Sequence, residues 1–332
     1  MLNIYKSNFL IFSGYHASGI AAVRDLLKGS NEVNVFPNEF RLVRERYGIY
    51  ELYNSLFSPY CPQISDLALK DFIWLTEKMS KNSNILSGQG LGFDLLTNKS
   101  FSKATNNFIK EIVKYDYPID FHLFDFKKSP LSFFIKRLKK KFTKNYSELD
   151  NAYMTLSDPK EFVYAVRKYL FSIFENTFPQ NRSFIGLHNA ISIQNDLVVK
   201  KSLDFFSNAK LIIVDRDPRD IYFDFPYDRY LPNPNLKHIS RVHAFIDFYK
   251  ILRKNKKEIS NLDNVLIIHF EDLCLRTEIE VNKIKNFLNL KEDIKIGQFF
   301  DPDKSKQNIG IWKKEYNKKK TDINIIEKIL LS

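Results

Sequence analysis

Cysteine is nearly missing from this chain: Cys61 and Cys274 are the only 2 in 332 residues, and they lie far apart. That excludes a disulfide framework and suits a reducing compartment, so a cytoplasmic location is expected. Long apolar runs are missing too. No stretch approaches the roughly 20 residues that a bilayer-spanning helix needs. The N-terminal run Phe9–Phe12 is far too short for the core of a secretory leader and has no cleavage-site pattern after it. A soluble protein is expected, with peripheral membrane contact left open. Low-complexity linkers and internal repeats are absent, so nothing compels a second domain. No group of His, Cys, Asp and Glu has convincing metal-ligand spacing, and no metal is expected. There is no recognisable nucleic-acid module, and no nucleic-acid partner is expected.

What is present is aromatic and basic. The chain has 30 Phe and 17 Tyr against 2 Trp, and 51 Lys+Arg against 39 Asp+Glu for a net charge of +12. A basic protein favours anionic partners, although charge alone does not choose among them. A basic run occupies residues 137–144; it reads as a solvated helix face or as a contact for an acidic acceptor.

The first 36 residues have a βαβ pattern. Phe9–Phe12 reads as a short buried strand and Ser13–Ser18 as a turn. A helix opens at Gly19 and runs to about Leu27, with Ile20, Val23, Leu26 and Leu27 on its apolar face. Gly29 ends that helix, and a strand over Val33–Phe36 is stopped by Pro37. Two strands in this relation imply a parallel sheet. Residues from about 45 to 180 read as mainly helical, with one amphipathic helix over 159–176 presenting Phe162, Val166, Tyr169 and Ile173. Strands return at Ser183–Leu187, Lys210–Val214 and Val265–Phe270. A helix is expected over 241–254; Glu271-Asp272-Leu273 follows the last strand, and then a helix to about Leu288. The expected architecture is one α/β domain over 1–332, a P-loop-like three-layer fold with a central parallel sheet and a helical insertion at about 45–180.

Three segments are candidates for holding an anion. Gly14-Tyr15-His16-Ala17-Ser18-Gly19 joins a strand to a helix N-terminus, where backbone N–H groups and the helix dipole face a ligand. It is not a nucleotide-kinase loop, because Ile20 and Ala21 stand where Lys and Ser/Thr would be needed. Arg216 and Arg219 follow the Lys210–Val214 strand within Asp215-Arg-Asp-Pro-Arg-Asp220. They are placed to fork onto a phosphate or to pair locally with the neighbouring acids. Near the C-terminus, Lys306, Asn308, Ile309 and Gly310 precede Trp312, a pattern that suits a loop docked over an anion.

Taken in this order, these segments resemble the sulfotransferase family. The loop 14–19 is similar to its 5′-phosphosulfate loop, and residues 208–220 to its 3′-phosphate segment. Residues 265–273 resemble its strand–Glu-Asp-Leu–helix element, and 308–313 its C-terminal anion loop. The resemblance carries nothing over roughly 45–180. It implies transfer of a sulfuryl group from 3′-phosphoadenosine 5′-phosphosulfate to a hydroxyl or amine, with a carbohydrate acceptor. The donor would contact Gly14 through Ala21, Arg216, Asp224, Lys306, Asn308, Ile309 and Gly310. Glu39, just past the second strand, and His188, just past a later one, are the candidate general bases; His16 is a candidate donor to the leaving group. His269 reads as a satisfied core residue. Two positions depart from the family pattern. Ala17 stands where a cation is usual, with His16 or Arg24 as candidate substitutes. Asp224 stands where a phosphate-binding serine is usual, and a carboxylate repels a phosphate. The alternatives are a non-catalytic nucleotide- or partner-binding protein and a divergent P-loop kinase; the missing Lys-Ser/Thr argues against the kinase.

Overall fold

A computed structural model of the chain describes residues 8–57, 61–84, 88–119, 131, 134, 135, 138, 150–155, 158–178, 182–224, 240–314 and 316–332. Of the basic run 137–144, Leu138 alone falls among them. The chain forms two compact units, one from 1–43 with 178–332 and the other from 44–177.

The first unit is built on a five-stranded sheet. Its strands are β1 (Asn8–Gly14), β2 (Val33–Glu39), β7 (Phe184–His188), β8 (Lys210–Asp215) and β9 (Val265–His269), in the order β2-β7-β1-β8-β9. Every pairing is parallel. Counted along this sheet alone, the order is 2-3-1-4-5. Parallel strands covered on both faces read as continuous apolar runs. That accounts for β1, where Phe9 to Phe12 are at most 1% exposed, and for β7 and β8. Helix α1 (Ile20–Lys28) buries Val23, Leu26 and Leu27 against β1 and β8. Ile284 and Leu288 of a later helix join the same cluster.

The strands fall where the apolar runs predict them, with local differences. Pro37 does not stop β2, which continues to Glu39 across a register shift after Val35. β2 is the edge strand, where a residue without an N–H removes no ladder bond. Glu39 and His188 are therefore the last residues of their strands rather than loop residues. The helix expected after Leu273 is Thr277–Leu288, and a short helix, Phe270–Leu275, precedes it; the two part where Arg276 leaves helical geometry at φ −126° and ψ 44°. His269 is exposed at the end of β9, not buried in the core. Gly29 does follow α1, but its φ of −74° is open to any residue. What requires glycine there is close approach: a Cβ would lie 2.5 Å from the carbonyl oxygen of Lys295.

The second unit contains α2 (Ile49–Phe57), α3 (Pro62–Ser80), α4 (Phe93–Leu96), α5 (Ser100–Ile112) and α6 (Pro159–Phe174). Two antiparallel pairs, β3 (Asn82–Asn84) with β4 (Gly88–Leu91) and β5 (Val113–Ile119) with β6 (Asp150–Thr155), add strands to the expected helices. The phenylalanine-rich composition is used here as core. Phe108 stacks on Tyr169 at 4.7 Å between centroids and meets Phe72 and Phe162 edge-on. Phe162, Val166, Tyr169 and Ile173 of α6 are buried, as their spacing predicts. The Tyr169 hydroxyl shares a 2.7 Å hydrogen bond with Thr105 Oγ1, so the one polar atom of that buried ring is satisfied.

Gly19 is the residue on which the β1–α1 junction turns. Its φ of +82° is left-handed, and a Cβ there would lie 2.4 Å from the Phe270 ring. Gly19→Ala is expected to destabilise the protein by about 1–3 kcal/mol, combining left-handed strain with displacement of that ring. Urea unfolding followed by circular dichroism measures the loss.

Candidate functional site

The loop after β1 lies at the carboxyl edge of the sheet, with β7 on one side and β8 on the other. The chain leaves β1 towards β2 and later crosses to β8, so this is where the strand order reverses, and ligands of open α/β sheets bind in such crevices. Ser18 N–H closes the turn onto Tyr15 O at 3.0 Å, with Ala17 at φ 57° and Gly19 at φ 82°. Gly19 caps α1 without a side chain, leaving the first N–H groups of the helix directed at the loop. The hydroxyls of Ser13, Tyr15 and Ser18 are buried with no hydrogen-bond partner among the described residues.

Arg216, one residue past β8, ties this loop to two distant segments. Its Nη1 donates to Ala17 O at 3.1 Å and to the Asp224 carboxylate. Its Nη2 donates to Asn308 O at 2.5 Å. The side chain is 4% exposed and that of Asp224 42%. Nε is buried with no partner among the described residues. Arg216 also lies over the Phe270 ring, 5.2 Å from its centroid.

The neighbouring acids each hold something different. Asp215 is buried and accepts from Arg253 at 2.6 and 3.1 Å and from Lys256 at 2.6 Å. Burial pushes its carboxyl up, but the two cations outweigh this and hold it below the ordinary 3.8. Arg253 is itself sandwiched between the rings of Tyr15 at 4.2 Å and Tyr249 at 3.6 Å. Burial, with Asp215 adding to it against Arg253, pushes Tyr15 up to about 12. Asp217 pairs with Arg219, which also reaches Glu327 at 2.8 Å and stacks on Trp312 at 4.2 Å. The second arginine thus sits in an ion-pair network. Asp220, on the helix Pro218–Asp224, accepts from the backbone N–H of Gly310 at 2.7 Å and of Trp312 at 3.2 Å. Burial raises its pKa in spite of those two donors. The Gly310 segment is docked, as Ile309 and Trp312 predict, and its N–H groups face a protein carboxylate.

Beside Arg216 is a cavity of about 710 Å³, walled by the start of α1 (Gly19, Ala21, Ala22, Asp25), by Ala17 and Phe270, and by 297–301, Lys304, Ser305 and Asn308. Of the residues singled out in the sequence, Ala17, Gly19, Ala21, Arg216, Asp224 and Asn308 line it. Gly14, Tyr15, His16, Ser18 and Ile20 belong to the loop and its helix start but not to that wall. Lys306 pairs with Asp303 at 2.8 Å, and Ile309 packs on the core. His16 is tilted over Phe248 at 5.6 Å. Arg24 forks onto Asp25 at 3.0 and 3.2 Å. The wall also holds Ala22, Asp25, Phe270, Lys304, Ser305 and the 297–301 segment, none of them expected there from the sequence. Phe270, Lys304 and Ser305 stood within recognised stretches; the others carry no pattern that marks them.

A second polar cluster lies where β2 and β7 end. Glu39 and His188 are paired in register. Asn189 Nδ2 donates to Glu39 Oε1 at 2.8 Å, and Arg41 Nε donates to Oε2 at 2.5 Å. Burial pushes the Glu39 carboxyl up; Asn189, Arg41 and the nearby His188 together bring it below the ordinary 4.5. The His188 ring is buried and stacked on Phe12 at 5.6 Å. Among the described residues no group of acids, histidines and cysteines is arranged to hold a metal ion, and no helix is long and apolar enough to cross a membrane.

No family model matches the sequence, and no curated protein matches it. Solved structures similar to this chain include the sulfotransferase domain of the curacin biosynthetic pathway, at 15% identity, a TM-score of 0.43 and coverage of 87% of this chain and 76% of that one. They also include the sulfotransferase domain of the Synechococcus PCC 7002 olefin synthase, at 15% identity, a TM-score of 0.45 and coverage of 93% and 90%. A third is a sulfotransferase from Mycobacterium avium, at 12% identity, a TM-score of 0.34 and coverage of 86% and 65%. With TM-scores below 0.5 these are partial likenesses, and the chemistry of the site follows from the geometry above.

The Asp215 cluster has a defined pH signature. Because its folded pKa is depressed, its stabilising contribution is complete above 3.8 and is lost as pH falls through the lower folded value. Arg253→Met leaves a buried carboxylate with Lys256 as its one cation and the Arg216 N–H as its other donor, and is expected to cost about 3–5 kcal/mol near pH 7. Burial then meets less opposition, so acid unfolding of the variant begins at a higher pH. Denaturant unfolding across pH 3–7 tests both parts.

Proposed function

We propose that this chain is a sulfotransferase that moves a sulfuryl group from an adenosine phosphosulfate, of which 3′-phosphoadenosine 5′-phosphosulfate is the type, to the hydroxyl of a carbohydrate. The observation that carries this reading is the cavity at the carboxyl edge of the sheet, with the amino end of α1 as one wall and Arg216 and Lys304 facing into it. A helix amino end beside Lys304 suits one anionic group and its departing charge. The excess of basic over acidic residues favours an acidic sugar as acceptor. Both cysteines are free thiols, which supports a cytoplasmic setting.

The chemistry balances with residues of this chain alone. The acceptor oxygen forms a bond to sulfur as the bridging S–O bond to the 5′-phosphate breaks. The acceptor proton goes to the Glu39 carboxylate, which Arg41 and Asn189 keep ionised and therefore able to accept it. The negative charge left on the phosphate oxygen meets the N–H groups at the start of α1. In-line transfers of this kind depend chiefly on positioning and electrostatics. His188, in register with Glu39, is the alternative base.

A second reading, a nucleotide- or partner-binding protein without catalysis, is favoured by two observations: Arg216 is already paired with Asp224, and the loop offers no cation at Ala17.

Calorimetric titration with adenosine 5′-phosphosulfate and with its 3′-phosphorylated form tests the binding half; failure of both to bind at millimolar concentration overturns the reading. Glu39→Gln is expected to lower transfer about 10²–10⁴-fold while leaving nucleotide affinity unchanged. The rate is expected to fall on the acid side only below the ordinary carboxylate value of 4.5, since Glu39 titrates lower than that. Arg41→Met moves this limb to higher pH. Full activity in Glu39→Gln transfers the role to His188, and binding without transfer across an acceptor panel supports the second reading.

A further inference from the structure

We infer that the nucleotide taken by this cavity presents a free ribose hydroxyl, and not a second phosphate, to the Arg216–Asp224 pair. The inference rests on the reading that the cavity holds a nucleotide and narrows which one.

The charges around the cavity decide this. Its wall carries three carboxylates, of Asp25, Asp224 and Asp301, against two cations, Arg216 and Lys304. Asp25 is engaged by Arg24 and by Lys28 at 2.9 Å. Asp301 caps the short helix Pro302–Lys306 by accepting from the N–H groups of Asp303 and Lys304 at 3.0 and 3.1 Å. Asp224 has Arg216 as its partner: Nη1 serves Ala17 O and Asp224 and Nη2 serves Asn308 O, while Nε, buried, has no partner among the described residues. The guanidinium is buried and fixed by two backbone carbonyls, while the carboxylate is partly exposed.

A phosphate brought to this guanidinium meets a carboxylate already there. It must displace Asp224 and then lie beside it, and like charges at such range oppose one another. A hydroxyl meets the opposite situation. An ionised carboxylate has lone pairs beyond those used by one arginine and accepts a hydrogen bond from the hydroxyl without giving up its ion pair. The same logic separates nucleotides elsewhere: a carboxylate reads a ribose hydroxyl, an arginine accommodates a ribose phosphate. Here the carboxylate covers the arginine, so discrimination comes from a built-in repulsion rather than from a lost attraction. Lys304 and the amino end of α1 remain for a single anionic group at the 5′ end.

Competitive calorimetry with adenosine 5′-phosphate and adenosine 3′,5′-bisphosphate on the full chain tests this, with Asp224→Asn and Asp224→Ser as variants and Asp25→Asn as control. The monophosphate is expected to bind about tenfold or more tightly, and either Asp224 variant to bring the bisphosphate level or ahead, while Asp25→Asn keeps the original order. Thermal melts establish that each variant is folded, and the ranking in the unsubstituted protein stands whatever the variants do. Tighter binding of the bisphosphate to the unsubstituted protein overturns the inference and leaves the nucleotide reading intact. An equal change in ranking from Asp25→Asn also overturns it, because the selectivity would then belong to the overall charge of the cavity. No binding of either nucleotide overturns both.

Discussion

The guanidinium of Arg216 is the contact on which the rest of the site depends. It is buried beside the end of β8 and ties together three pieces of chain that are remote from one another in sequence: the loop after β1 through Ala17 O, the helix Pro218–Asp224 through Asp224, and the C-terminal segment through Asn308 O. A buried charge is tolerated only when it is paired and hydrogen-bonded. The cation therefore dictates where those three segments must lie, and the cavity is the space they leave beside it.

The acids around it divide the remaining work. Asp215 gathers Arg253 and Lys256, and Arg253 fixes the Tyr15 side chain of the loop from the far side. Asp220 secures the Gly310–Trp312 backbone, and Arg219 holds Trp312 from above. The Asp-Arg-Asp-Pro-Arg-Asp stretch is thus first a construction device. It draws the amino-terminal loop and the carboxyl-terminal segment to one sheet edge. Of this stretch only Arg216 also borders the cavity, and its pairing with Asp224, four residues beyond the stretch, is the point where architecture and ligand choice meet.

Much of the fold was legible in the amino-acid sequence. The runs Phe9–Phe12 and Lys210–Val214 are strands because a parallel strand buried on both faces tolerates little but apolar side chains, and the run from Val265 forms a partly exposed edge strand. Helices α1 and α6 followed from apolar spacing. The errors lay where pattern gives no tertiary information. Pro37 stops a central strand but not an edge strand, and the edge position of β2 comes from the sheet order. Of the candidate site, the loop 14–19, Arg216, Asp224 and Asn308 were recognisable from the sequence. Asp25, Asp301 and the 297–300 segment were not, because they reach the cavity through the path of the chain and belong to no motif.

The sequence by itself determined the strands and helices, the glycine turn at the end of β1 and the supply of charged groups after β8, since these depend on side-chain chemistry and spacing over a few residues. Which charge meets which was decided only by the tertiary structure. Arg216 had three neighbouring acids within its own segment, yet its carboxylate is eight residues on, and its carbonyl partners are 92 and 199 residues away. Pairing energy depends on distance and burial in space, and neither exists until the sheet has brought those segments to one edge.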